Sequence, residues 1–460
     1  MKSHLVENLS MTTPMFHRRA ALKIGAVGAF TLPHLLAAQA KAGTSHQGKA
    51  KSIILLFNSG GIPHHETWDP KPDAPVEVRG DFGVISTKTP GLQVGELMPK
   101  TAQLTDKIAV IRTMVTLDNA HSTSGYQMLT GIPHVPLNRE NMTQARPNNQ
   151  PSFNALVRAV CPPQHGLPSS MVLPRRLANF DGLYPWPGTG TGILGKSADP
   201  WMLECDPAAA DFTAPGCEMK AGLDSQRVQH RQELLQQLSE PTPTSGSSQF
   251  RRYQQQAFDM LTGNRAREAF DLHLESPSMR DRYGRSKHGQ SVLLARRLVE
   301  AGVRLVQVNW ASQDKKLPNG GGWDTHLDHS KSLKGWLMPS MDQTYSALIT
   351  DLDQRGLLDE TLVCWVAEFG HTPKFNAKKG RDHWGRVFSI ALAGGGIRGG
   401  VVYGKTDKQA GEPLGDVVRP CDYLATLFHC LGFDPEMMIY DVENRPIPLM
   451  RGKVLHSILA

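Results

Sequence analysis

The chain has 460 residues, a formal charge of +7 and six cysteines. It is long enough for a substantial core, and its basic residues are interleaved with acids, as in Arg280-Asp281-Arg282, which argues against a nucleic-acid binder needing a concentrated basic face. Cys161, Cys205, Cys217, Cys364, Cys421 and Cys430 form no C-x-x-C pair and no zinc-ribbon spacing, which excludes a cysteine-ligated metal module.

The first segment reads as an address. His17-Arg18-Arg19-Ala20-Ala21-Leu22-Lys23 has the twin-arginine pattern, followed by the uncharged run Ile24 to Leu32 and the small-residue stretch Ala37-Ala38-Gln39-Ala40-Lys41-Ala42, where a signal peptidase could cut. The run has nine residues, well short of the ~20 needed to span a bilayer. The expectation is a signal peptide over residues 1–42, recognised by the twin-arginine translocase, and a periplasmic or secreted product with no transmembrane anchor after cleavage. Lys2, Arg18, Arg19, Lys23 and Lys41 against Glu7 put +4 of the charge in this leader, leaving +3 for the rest. Residues 43–460 read as one domain, and an oxidising periplasm would permit Cys205 and Cys217 to pair.

That domain opens on Ser52 to Phe57, a continuous apolar run of the kind found in buried parallel strands, stopped at Asn58-Ser59-Gly60-Gly61. The plan recurs at Ile108 to Ile111, Val303 to Val308, Thr361 to Val366 and Phe388 to Leu392. A polar loop entering a helix is expected at Asn119 to Gly131, where amide dipoles favour anions. Between about 135 and 250 the chain is rich in Pro, Gly and Asn and reads as an irregular insertion over the sheet. Gly188-Thr189-Gly190-Thr191-Gly192 lacks the G-K-[ST] ending of a phosphate loop. Helices are expected from Ser291 to Ala301 and from Leu337 through Leu352, closed by Gly356. Strands alternating with helices predict an α/β fold, a mostly parallel central sheet with helices on both faces.

Polar residues bunch at the predicted strand ends: His64, His65, Glu66 and Asp69 after the first, His121 to Ser124 after the second, Asp324 and His326 after the third. Glu368 and His371 follow the fourth, and Asp382 and His383 precede the fifth. Carboxylates with imidazoles are the usual ligands for zinc and other divalent ions, and loops meeting at one sheet edge can enclose them. Each residue alone has an ordinary structural explanation, such as a helix cap or a backbone hydrogen bond.

His121-Ser122-Thr123-Ser124 leading to Leu129-Thr130-Gly131 is similar to the nucleophile segment of sulfatases, with His121 where their cysteine stands. Cys421-Asp422-Tyr423-Leu424-Ala425-Thr426-Leu427 through Leu431-Gly432 looks like their closing helix. Nearly the whole domain resembles a twin-arginine-exported bacterial family, domain of unknown function 1501, considered a relative of the alkaline phosphatase superfamily. The phrases carrying this are Thr67-Trp68-Asp69-Pro70-Lys71-Pro72, Arg280-Asp281-Arg282-Tyr283-Gly284, Ala295 to Gly302, Gly322-Trp323-Asp324-Thr325-His326, Glu368-Phe369-Gly370 and Gly380-Arg381-Asp382-His383-Trp384.

The resemblance implies an alkaline phosphatase/sulfatase-like three-layer sandwich and a metal-dependent hydrolase of phosphate or sulfate esters, of small-molecule or glycan type. By it, Asp324, His326, Glu368 and His383 would bind the metal, zinc first, with manganese or calcium as alternatives. His121 or Ser122 would be the nucleophile, and Lys374, Arg381 or another nearby cation would neutralise the oxyanion. Asn58, His65, Asp69, His371 and Asp382 are further candidates. Three positions depart from the superfamily: Asn58 replaces a metal-binding aspartate, Glu368-Phe369 replaces an Asp-His pair, and His121 replaces the nucleophile. His371 stands where the family usually has arginine. Those departures support an alternative, a catalytically inactive fold that binds a glycan or a protein.

Overall fold

A computed structural model describes residues 48–179, 183–216, 225–238, 245–311 and 316–460; the expected leader and Cys217 lie outside them. The described residues form one compact unit. Among the described residues no helix is long and apolar enough to cross a membrane.

Eight strands build the central sheet: β1 (Ser52–Phe57), β2 (Ile108–Met114), β3 (Ser170–Leu173), β4 (Trp201–Met202), β5 (Leu305–Asn309), β6 (Thr361–Val366), β7 (Phe388–Ala393) and β8 (Val401–Tyr403). Their order is β8-β2-β7-β6-β1-β5-β3-β4. β1 lies at the centre, parallel to β6 in the register Ser52 to Thr361 and to β5 from Ile53 to Leu305. All six of its residues are buried, as a strand covered on both faces requires.

Alternate side chains of β1 enter two separate cores. Ile54 and Leu56 face the cluster formed with α3 (Lys287–Glu300) and α4 (Met338–Gln354), where Trp68, Trp365 and Tyr345 meet edge to face or tilted. Ile53, Leu55 and Phe57 face α1 (His121–Thr130), α2 (Phe153–Val160) and α5 (Pro420–Cys430). Helices therefore cover both faces, the α/β architecture expected from the sequence.

Two details differ from the sequence reading. β7 runs antiparallel to both β6 and β2. A parallel return needs a crossover, usually a helix, and residues 367–387 contain only the short pair Gly370–His371 and His383–Trp384. The segment around 135–250 is also more than a covering insertion, because β3 and β4 extend the sheet beyond β5. With four and two residues, they were too short to stand out among prolines and glycines.

Candidate functional site

The antiparallel course of β7 brings the site together. Its amino end lies at the edge where the parallel strands finish, so His383, before β7, meets His121, Asp324 and Glu368, which follow β2, β5 and β6. An all-parallel sheet would have put His383 at the opposite edge.

Gly60, just past β1, makes the close approach this edge needs. Its φ is +113°, and a Cβ there would lie 2.2 Å from the Asp324 backbone nitrogen. Its N–H donates to Glu368 Oε1 at 2.8 Å, and its carbonyl pairs with His371 Nε2 at 2.9 Å.

Three imidazoles converge on Asp324. His383 Nε2 and His326 Nε2 lie 2.8 Å and 2.9 Å from Asp324 Oδ1 and 3.1 Å from each other. His121 Nε2 lies 3.3 Å from Asp324 Oδ2. Each ring's Nδ1 faces an oxygen acceptor: the Asn119 carbonyl for His383 at 2.7 Å, Asp382 Oδ1 for His326 at 2.7 Å, and Glu368 Oε1 for His121 at 2.8 Å. Nδ1 must therefore carry a proton on all three, leaving the Nε2 lone pairs aimed at one carboxylate. Lone pairs at this separation repel unless positive charge, a second proton or a metal ion, sits among them.

Protons answer that demand in part. Burial opposes a charge on His121, but the Asp324 and Glu368 carboxylates outweigh it and push the ring up to about 10. Asp324, against burial, raises His326 to about 9, with help from Asp382. Burial opposes the Asp324 charge as well, yet hydrogen bonds from the three imidazoles hold it far below the usual carboxylate range. One ligand atom each from His121, Asp324 and His383 lies within 4.8 Å of the others, and imidazole nitrogens oriented by acceptors on Nδ1 are the donor set zinc prefers. The residues fit a divalent cation. Glu368, fully buried, has its second oxygen without a hydrogen-bond partner.

The cluster opens into a cavity of about 640 Å³ whose wall also includes Glu140, Arg175, Asn179, Trp186 and Trp310. Phe369 stacks on His383 with ring centroids 4.2 Å apart and leans on His121 at 5.2 Å. Trp186 stacks on His121 from its other side at 5.8 Å.

Other sequence candidates lie elsewhere. Ser122 Oγ stands 3.4 Å from Glu140 Oε2 and 3.5 Å from Asn179 Nδ2, away from the imidazoles. Asn58 is buried, with its amide nitrogen 4.0 Å from Met341 Sδ. His65 pairs with the Gln409 carbonyl at 2.7 Å. Asp69 is buried against Lys71, Arg112 and Thr406. His371 props Gly60 from below, so it is no substitute for an arginine in the cavity. Arg381 is fully buried, its Nη2 2.6 Å from Glu66 Oε1, and cannot meet an oxyanion; Lys374 is exposed and no part of the cavity wall.

Sequence reasoning missed Glu140, Asn179, Trp186 and Arg175. Trp186, a large aromatic inside Tyr184-Pro185-Trp186-Pro187-Gly188, was a readable signal. Glu140 and Asn179 had none, because only tertiary folding brings them to the head of α1.

Fold and site together define an α/β protein with an imidazole-carboxylate cluster at the carboxyl edge of its sheet. The chain belongs to the family described as protein of unknown function DUF1501, whose model matches residues 50–459. No curated protein matches it by sequence. Among solved structures it is similar to the PsFucS1 sulfatase from Pseudoalteromonas sp., at 11% identity over 94% of this chain and 76% of that one, with a TM-score of 0.39. The phosphonate monoester hydrolase of Agrobacterium radiobacter is similar at 11% identity over 89% and 77%, with a TM-score of 0.34.

Proposed function

We propose that the protein is a metal-dependent hydrolase of phosphate or sulfate esters, exported by the twin-arginine translocase and working in the periplasm or outside the cell. The observation that carries the reading is the convergence of three imidazole Nε2 atoms on the Asp324 carboxylate. His121, Asp324, His326 and His383 would hold the ion, zinc being the best match to this donor set. Bound there, it would supply Lewis acidity, polarising the ester and neutralising charge developed on its oxygens.

The chain's own residues set the rest. Glu368, Asp382 and the Asn119 carbonyl fix the three ring orientations. Arg175, in the cavity wall, is the nearby cation that takes the oxyanion role, in place of Lys374 or Arg381. Both ring nitrogens of His121 are engaged and Ser122 faces Glu140, so water, and neither side chain, delivers the attacking oxygen.

A second reading, a glycan-binding module, draws on Trp186 and Trp310 in the cavity wall beside the Asn179 amide. Elemental analysis of the purified protein separates the two. Roughly one equivalent of metal, lost in Asp324→Ala and His383→Ala, supports the hydrolase and directs a screen of phosphate and sulfate esters. Protein that holds no metal and takes up no zinc, manganese or calcium would sink it in favour of the binding module.

A further inference from the structure

His326 is the ring of the cluster that its own chain segment holds least. His121 opens α1 and His383 belongs to the short pair with Gly370–His371, and their side chains are 16% and 13% exposed. His326 stands in neither a helix nor a strand. Its side chain is 40% exposed, and that of Asp382, the carboxylate facing its Nδ1, is 51% exposed. Such a pair gains little from its own attraction in water and needs another group to hold it in one geometry.

One side chain holds both partners. Asn376 Nδ2 donates to the His326 carbonyl at 3.0 Å and to Asp382 Oδ1 at 2.9 Å, while its Oδ1 accepts the Lys378 N–H at 2.9 Å and the Gly380 N–H at 3.0 Å. A side-chain amide offers two donor hydrogens and two acceptor lone pairs, so all four are used. Two acceptors on one side and two backbone donors on the other leave it a single orientation. The loop that carries Asn376 is closed on itself and shut against His326. The Asn376 N–H donates to the Gly380 carbonyl at 2.8 Å, and the Lys379 N–H to the Asn376 carbonyl at 3.1 Å. Lys379 takes a left-handed φ of +56°, uncommon for a residue with a side chain. A Cβ on Gly380 would lie 2.0 Å from the His326 carbonyl, an approach that only glycine permits. Further on, the His329 N–H donates to the Lys379 carbonyl at 3.0 Å. Residues 376–380 are thus a bracket behind the segment that bears His326.

We infer that Asn376 is a positioning residue of the cluster: it lies outside the cavity wall and acts through Asp382 and the His326 carbonyl to keep the His326 ring turned on Asp324. By fixing that ring it sets how many imidazoles a cation in the cluster meets, three with the bracket intact and two without it. The metal consequence rests on the cation reading; the placement of the ring does not.

Asn376→Asp is the deciding variant. The new carboxylate can still accept the Lys378 and Gly380 N–H groups and close the loop, but it has no hydrogen for Asp382 or the His326 carbonyl. Asn376→Ala removes both functions. In the metal-free proteins, imidazole nitrogen NMR should show the His326 resonances moved in both variants and those of His121 and His383 in place. Zinc affinity, measured by competition with a chelator, should weaken about tenfold in Asn376→Asp, the lower end for groups that orient a ligating histidine. In a His326→Ala background the same change should have little further effect. The cobalt(II) absorption spectrum of Asn376→Asp should move from that of the wild type toward that of His326→Ala. Melting curves confirm folding, and Lys379→Gly, which relaxes the left-handed position, is added to any variant that does not fold. Unmoved His326 resonances, an unchanged zinc affinity, or a loss just as large when His326 is already absent overturns the proposal. A wild type that takes up no zinc or cobalt(II) defeats the cation reading instead, and the nitrogen spectra then decide the positioning role alone.

Discussion

Arg381 shows how far a residue's surroundings can overrule its type. As a cation next to Asp382 and His383 it was the natural oxyanion partner, but folding puts it beneath the site. Its guanidinium meets Glu66 Oε1 at 2.6 Å and 3.0 Å, the Val78 carbonyl at 2.7 Å and the face of Phe375 at 4.1 Å. Both charged partners are buried, so each needs the other. Arg381→Met should cost about 3–5 kcal/mol by leaving Glu66 uncompensated, while Arg381→Met with Glu66→Gln should recover much of that loss. Urea unfolding of the three proteins checks this; a single variant no less stable than the double would contradict the assignment. Gly60 carries a second prediction at this scale. Gly60→Ala would drive a Cβ into the Asp324 backbone, so it should lower metal content as well as stability, by a few kcal/mol at roughly the upper end for backbone strain.

Among the elements, α1 depends on a residue two positions before its own cap. Asp118 is buried and takes the Ala120 N–H at 3.0 Å, the Thr123 hydroxyl at 2.8 Å, the Asn138 N–H at 3.1 Å and the Gln127 amide at 3.2 Å. Asp118→Ala strands these donors and should destabilise the fold by about 2–3 kcal/mol, measured by denaturant, while releasing the loop that carries Glu140. An unchanged midpoint would mean that water satisfies the donors. Elements also mark where sequence reading succeeds and fails. β1, β6, α3 and α4 were legible because long apolar runs or 3.6-residue periodicity announce them. The direction of β7 was not, since a strand's apolar pattern is the same whichever way it runs. Nor was β3, whose four residues acquire strand character only by pairing with β5. The site followed the same rule. Asp324, His326 and His383 stood out by type and by position at strand ends, whereas Glu140 and Asn179 became neighbours through loop geometry that no local pattern encodes.

Across the whole molecule, buried histidine sets the response to acid. His64, His65, His288, His329 and His371 are buried, and burial is the main reason each ring holds its proton less tightly than a free histidine. The unfolded chain begins to bind protons at these rings near pH ~6.5, while the folded chain does not. Extra protons on the unfolded state favour unfolding, so stability should fall as pH drops below ~6.5, by up to about 1.4 kcal/mol per pH unit for each ring. His121 and His326 act in the opposite sense: their raised values keep them protonated in the folded chain, so their contribution is gained as pH falls through ~6.5 and becomes constant once the unfolded rings are protonated as well. The Glu66 carboxylate, held below its usual range, starts to withdraw its own contribution only when pH falls under ~4.3. Between these limits the slope belongs to the buried imidazoles. His288 offers the cleanest measure: burial alone lowers it to about 3, neither ring nitrogen has a hydrogen-bond partner, and its ring lies 4.4 Å from that of Trp310. In His288→Leu, unfolding free energy measured between pH 7 and 5 should lose up to about 1.4 kcal/mol per pH unit of its slope relative to the wild type, the limit being approached towards pH 5, because up to one proton fewer is taken up on unfolding. An identical slope in the two proteins would mean that His288 reaches water or a proton in the folded state, and would remove burial as the source of the acid sensitivity.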